Sequence, residues 1–110
     1  MKNYPTTKTN VRTRTELVEA VRSRTDNYNR YCSDALTELI RKLNLGKLTP
    51  EEMRYIYGRG DDVFEHTAWK ADTRLITYRL RKIDVDDLRF KLIQLSRALN
   101  LAIKLKLDRV

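Results

Sequence analysis

Leu17, Val21, Tyr28, Cys32, Ala35, Leu39 and Leu43 recur at steps close to 3.6 residues, the interval at which side chains return to one face of an α-helix. A chain with such a stripe must bury it against other elements, so helix over residues 14–44 is the first expectation. The middle of that stretch, RSRTDN, is polar all round and sets Arg24 on the stripe, which predicts a kink or a split. Thr13 and Glu16 have the spacing of a capping box at the start, and Gly46 supplies a left-handed end.

Thr49-Pro50-Glu51-Glu52 is the clearest local signal. Thr caps, Pro takes the first helical position where no amide is needed, and Glu52 reaches back to the cap. Leu48 and Met53 flank this box as a hydrophobic staple, and Gly58 closes a short helix. The loop GRGDD then hands over to a third helix, from Asp61 or Asp62 to about Lys82. Asp84, Asp86 and Asp87 favour a new helix start. Leu88, Leu92, Leu95, Leu99 and Ala102 follow at coiled-coil-like spacing, and the tail IKLKLDRV frays or extends that last helix. Phe90, Ala98, Leu101 and Leu105 form a second apolar strip on it. Either the last helix is central or the strip seals a homodimer.

No stretch reads as a strand and no repeat is apparent. The expected fold is all-α: a small bundle of a long N-terminal helix, a short connecting helix and a C-terminal antiparallel hairpin. Residues 1–12 are expected as a flexible basic arm carrying Lys2, Lys8 and Arg12, and residues 13–110 as a single all-helical domain.

The chain has 110 residues, with 23 Lys and Arg against 15 Asp and Glu, for a net charge of +8. That excess favours polyanionic partners, nucleic acid (DNA or RNA) first and an acidic protein surface second. One cysteine and one histidine exclude an intrachain disulfide and a four-ligand Cys/His zinc site. No cofactor or metal is expected, and no motif names a reaction. The amino terminus lacks the apolar core of a signal peptide and no run of about eighteen apolar residues occurs, so a soluble, cytoplasmic chain without membrane partners is expected.

Winding residues 61–82 as a helix puts His66, Lys70, Thr73, Arg74, Thr77 and Arg81 in one arc free of acids. Lys70, Thr73, Arg74, Thr77 and Arg81 are therefore candidate nucleic-acid-binding residues, joined by Arg89 and Arg97 from the last helix. Arg79 points elsewhere, towards Asp72, and reads as structural. The expected function is a small non-enzymatic nucleic-acid-binding protein that contacts the phosphate backbone with weak sequence specificity. The alternative is an adaptor or inhibitor docking its basic face on an acidic partner.

Arg59 precedes His66 in RGDDVFEH. This spacing is similar to the R-x(4–6)-H motif of HEPN-family ribonucleases. The resemblance covers those eight residues and implies a minority reading as a metal-independent ribonuclease. In it Arg59 would stabilise the phosphate and His66 would take part in cleavage at the 2′-hydroxyl.

Overall fold

Two nine-residue stretches place apolar or β-branched residues at every second position. TTKTNVRTR sets Thr7, Thr9, Val11 and Thr13 on one side, and TRLITYRLR sets Ile76, Tyr78 and Leu80 on one side. A period of two is the strand period. The computed structural model describes residues 5–60, 62–64 and 72–109. It pairs the two stretches, β1 (Thr6–Arg14) and β2 (Thr73–Arg81), as an antiparallel ribbon. The register runs from Thr6 opposite Arg81 to Arg14 opposite Thr73.

Each strand passes directly into a helix. β1 leads into α1 (Thr15–Arg24), followed after a short break by α2 (Tyr28–Asn44). A connecting segment carries α3 (Pro50–Ile56) and a 3₁₀ turn at Asp62–Phe64. β2 leads into α4 (Lys82–Phe90), followed after a break by α5 (Leu95–Asp108). The two strand–helix junctions have the same residue type and nearly the same backbone: Arg14 at φ −60°, ψ 127° and Arg81 at φ −63°, ψ 127°. The halves also cross over, α1 packing on α5, α4 on α2, and α2 against α5. An approximate two-fold axis therefore pierces the ribbon at Asn10 and Thr77, which stand opposite each other. It relates Thr6 to Thr73, Arg12 to Arg79 and Arg14 to Arg81.

The core lies between the inner face of the ribbon and the helices. Val11, Tyr78 and Leu80 are buried from the sheet, Leu17, Val18 and Val21 from α1, Leu36 and Leu39 from α2, and Leu99, Leu101 and Ile103 from α5. Each such aliphatic side chain contributes about 1.5–3 kcal/mol by leaving water.

The all-α helical-bundle expectation is thus overturned: the fold is a mixed α/β globule, five helices and a two-stranded antiparallel sheet among the described residues. The expected flexible arm is strand from Thr6 onward, and the second half of the expected helix ending at Lys82 is β2. Thr73, Ile76 and Thr77 are β-branched and fit a pleated surface better than a helical turn. The capping box at Thr13 does not form. That residue ends up inside the ribbon, and the cap position falls to Arg14, which makes no side-chain cap.

Other expectations fare better. The polar stretch does split the first helix, between Arg24 and Tyr28. Around Thr49 both bonds of the capping box are made, Glu52 N to Thr49 Oγ1 at 3.1 Å and Thr49 N to Glu52 Oε1 at 2.8 Å. Leu48 and Met53 both pack on the core. The last helix is broken after Phe90, so Leu92 leaves the expected stripe and is exposed. Of the second strip, Ala98 and Leu101 are buried within the chain, whereas Phe90 falls on α4 and is exposed, so α5 is central in the fold. No helix among the described residues is long and apolar enough to cross a membrane.

Candidate nucleic-acid interface

A two-stranded ribbon has two open edges, each a row of unpaired amides and carbonyls. Here both edges are gripped by an asparagine from the helices beneath. Asn29 of α2 accepts from Arg79 N at 2.8 Å and donates to Arg79 O at 3.0 Å. Asn100 of α5 accepts from Arg14 N at 2.9 Å and donates to Arg12 O at 3.0 Å. Each half of the molecule thereby fixes the strand of the other half, at the symmetry-related positions 12 and 79.

Beneath the ribbon, a chain of hydroxyls ties its inner face down. Tyr78 Oη lies 2.7 Å from Thr13 Oγ1 and 2.6 Å from Tyr28 Oη. Burial pushes the Tyr78 phenol up to about 12 and raises Tyr28 as well. Burial also pushes the neighbouring Cys32 thiol up to about 12. These groups stay neutral and protonated at physiological pH, so the network stiffens the ribbon and adds no charge to it.

The outer face differs in every respect. Thr6, Lys8, Asn10 and Arg12 alternate outward from β1, and Thr73, Leu75, Thr77 and Arg79 from β2. At the strand ends the Arg14 guanidinium turns over the Phe64 ring, 4.1 Å from its centre, and Arg81 turns towards α2. No acidic residue occurs in either strand. At the centre Thr77 Oγ1 donates to Asn10 Oδ1 at 2.7 Å, which leaves the Asn10 amide hydrogens pointing to solvent. Arg12 reaches across to the Thr73 hydroxyl at 3.4 Å. Lys8 stands directly opposite Arg79, and neither makes an ion pair among the described residues. Like charges facing each other across a ribbon are destabilising.

The residues singled out from sequence scatter. Thr73 and Thr77 lie on the outer face. Arg74 belongs to the inner row and pairs with Glu19 at 3.1 Å. Arg81 bends back to Asp34 at 2.8 Å and Thr37 at 2.7 Å. Arg97 donates to Tyr55 O at 3.0 Å and stacks 4.8 Å from the Tyr55 ring centre, so it acts within the fold. Arg89 is exposed at the end of α4, beside β1. Lys70 lies outside the described residues, as does His66; Arg59 is exposed after α3, and the ribonuclease pairing has no geometry to rest on. Lys8 and Arg12, expected on a flexible arm, stand instead on a paired strand, and Asn10, Leu75 and Arg79 join the outer face without a signal in the helical reading. Arg79 in particular was matched with Asp72, but seven residues of extended strand separate them by about 23 Å.

Among the described residues no group of three or more His, Cys, Asp or Glu could hold a metal ion. No protein-family model, curated protein or solved structure matches the chain.

Proposed function

We propose that the protein binds duplex DNA by laying the outer face of the β1–β2 ribbon in the major groove. The observation that carries this is the acid-free outer face on which Lys8 and Arg79 oppose each other. Repulsion that the fold leaves uncompensated is relieved when a polyanion arrives. The major groove of B-DNA, about 12 Å wide, admits a two-stranded ribbon, whereas the major groove of A-form RNA is too narrow to be read. Nine residues of strand span about 30 Å, enough for Lys8, Arg12 and Arg79 to meet phosphates or guanine edges. The Asn10 amide can donate to a purine N7, and Leu75 offers an apolar contact to a thymine methyl. Edge clamping by Asn29 and Asn100 supports the same reading, since a pre-ordered ribbon loses little entropy on docking.

The test is fluorescence anisotropy with a duplex selected from a random pool, titrated from low to moderate salt. Replacing Lys8, Arg12 or Arg79 by Gln should each weaken binding and lower the salt slope by about one. Slopes that stay at the unsubstituted value for all three would remove the ribbon from the interface and leave its charge to an acidic protein surface.

A further inference from the structure

Three helices end in the same hydrogen-bonded turn, in which the residue after the cap takes a left-handed conformation. After α2, Gly46 N bonds to Leu43 O and Lys47 N to Lys42 O; after α3, Gly58 N bonds to Tyr55 O and Arg59 N to Arg54 O. After α4, Leu92 N bonds to Arg89 O at 3.1 Å and Ile93 N to Leu88 O at 2.9 Å. The first two turns use glycine, at φ 68° and φ 73°, and the third uses leucine at φ 61°. A side chain with a Cβ is disfavoured there, and packing does not account for it. Ile93 and Leu88 already make the apolar contact that accompanies this turn, both buried, whereas Leu92 is 86% exposed. Phe90, two residues earlier, is also 86% exposed. A strained leucine and a bare phenylalanine thus project together from one turn and do nothing for the interior.

That turn lies against the ribbon. Thr7, Lys8 and Thr9 of β1 line one cleft with Leu88, Arg89, Ile93 and Leu95. Lys8 and Arg89 both line that cleft, Arg89 directly precedes Phe90 in the chain, and the acids Asp86 and Asp87 are engaged, with Lys82 and Lys91. The turn stands at the β1 edge of the ribbon, beside Thr7, Lys8 and Thr9, and in the docking proposed above that edge is the one that faces a groove wall. We propose that Phe90 and Leu92 form an apolar wedge that enters the minor groove flanking the ribbon site, parts a base step and kinks the duplex. Proteins that kink DNA from the minor groove combine apolar wedges with basic side chains. A second copy is a poorer occupant. Two α4 helices packed antiparallel through Phe90 and Ile83 would set Asp86 against Asp87 and Lys82 against Lys91.

The proposal rests on the DNA-binding reading above, and one experiment separates the two. A duplex selected from a random pool, with a fluorophore at each end, reports bending by energy transfer while anisotropy reports binding. The unsubstituted protein should bind and shorten the end-to-end distance. Phe90→Ala combined with Leu92→Gly should abolish the shortening while leaving the salt slope unchanged. Affinity for the intact duplex should fall about tenfold and recover on a duplex mismatched at the kinked step, where the base stack is already weakened. Bending that persists in the double variant, or binding without bending in the unsubstituted protein, overturns the wedge and leaves the ribbon reading standing. Failure of the unsubstituted protein to bind any duplex overturns both. Light scattering that shows self-association lost in the double variant, with bending unaffected, gives the knob to a second copy. Flotation with anionic phosphatidylglycerol vesicles, lost in the variant while bending is unaffected, gives it to a lipid surface.

Discussion

Asn29 holds the backbone of Arg79 with both ends of its side-chain amide, donating to the carbonyl and accepting from the N–H. A side chain here does the work of a third strand. Asn100 does the same on the opposite edge with less access to water, being 5% exposed. Asn100→Ala leaves Arg14 N–H and Arg12 C=O unpaired in a buried place and should cost about 3 kcal/mol. At half-buried Asn29, where water can step in, Ala should cost about 1 kcal/mol. Urea denaturation of the two variants checks the order.

The facing cations give a prediction of opposite sign for folding and for binding. Lys8→Glu creates a cross-strand pair with Arg79 and should stabilise the free protein by about 0.5 kcal/mol. The same change should abolish most of the duplex affinity. Thermal denaturation and anisotropy on one preparation test both halves of the statement.

Arg79 and Arg81 should exchange the roles that a helical winding gives them. Arg79→Gln is expected to reduce the salt slope of DNA binding with little effect on stability. Arg81→Gln strips Asp34, Thr37 and Ser33 of a shared donor and should cost about 1–2 kcal/mol with the slope unchanged. Equal slopes for the two variants would contradict this assignment.

Leu92→Gly relieves a left-handed leucine without removing any interior contact. Stability should rise by about 1 kcal/mol, read as a higher urea midpoint at constant m-value. A lower midpoint would mean that Leu92 packs in solution.

Cys32 and Tyr78 are acids whose folded pKa lies above the unfolded value, about 12 against 9.0 for the thiol and 10.0 for the phenol. Between those limits the unfolded chain holds fewer protons, so stability falls as pH rises. It should be level from neutral pH to about 9 and decline towards 12. Cys32→Ala should remove the earliest part of the decline. In native protein at pH 8 the thiol should resist alkylation until denaturant is added.

The helical half of the molecule was legible because caps and stripes are local. Thr49 and Glu52, Gly46, Gly58 and the Leu17–Leu43 stripe each speak through neighbours a few residues away. The ribbon was not, because Val11 and Ile76 become meaningful only once paired, and 64 intervening residues hide the pairing. The period of two was nonetheless present in Ile76, Tyr78 and Leu80. It was masked by Leu75, an apolar residue on the outer face that lets the same letters be wound as a helix. Winding them so split the apolar residues into two strips with Glu65 and Asp72 between, a mark of the wrong period. The candidate site inherits that error: a helical winding brings Arg74 and Arg81 to one face and turns Arg79 away, whereas the strand turns Arg79 outward.

The approximate two-fold axis through Asn10 and Thr77 has a bearing on how the chain can change over time. In an assembly of identical subunits every substitution appears in both halves at once, and a target must be a palindrome to match. Here each half is encoded separately. The axis relates Lys8 to Leu75, which differ, and Arg12 to Arg79, which are alike. On the docking proposed above, one polypeptide would keep a common grip at two places and meet different bases at two others, and a duplex it prefers need not be symmetric.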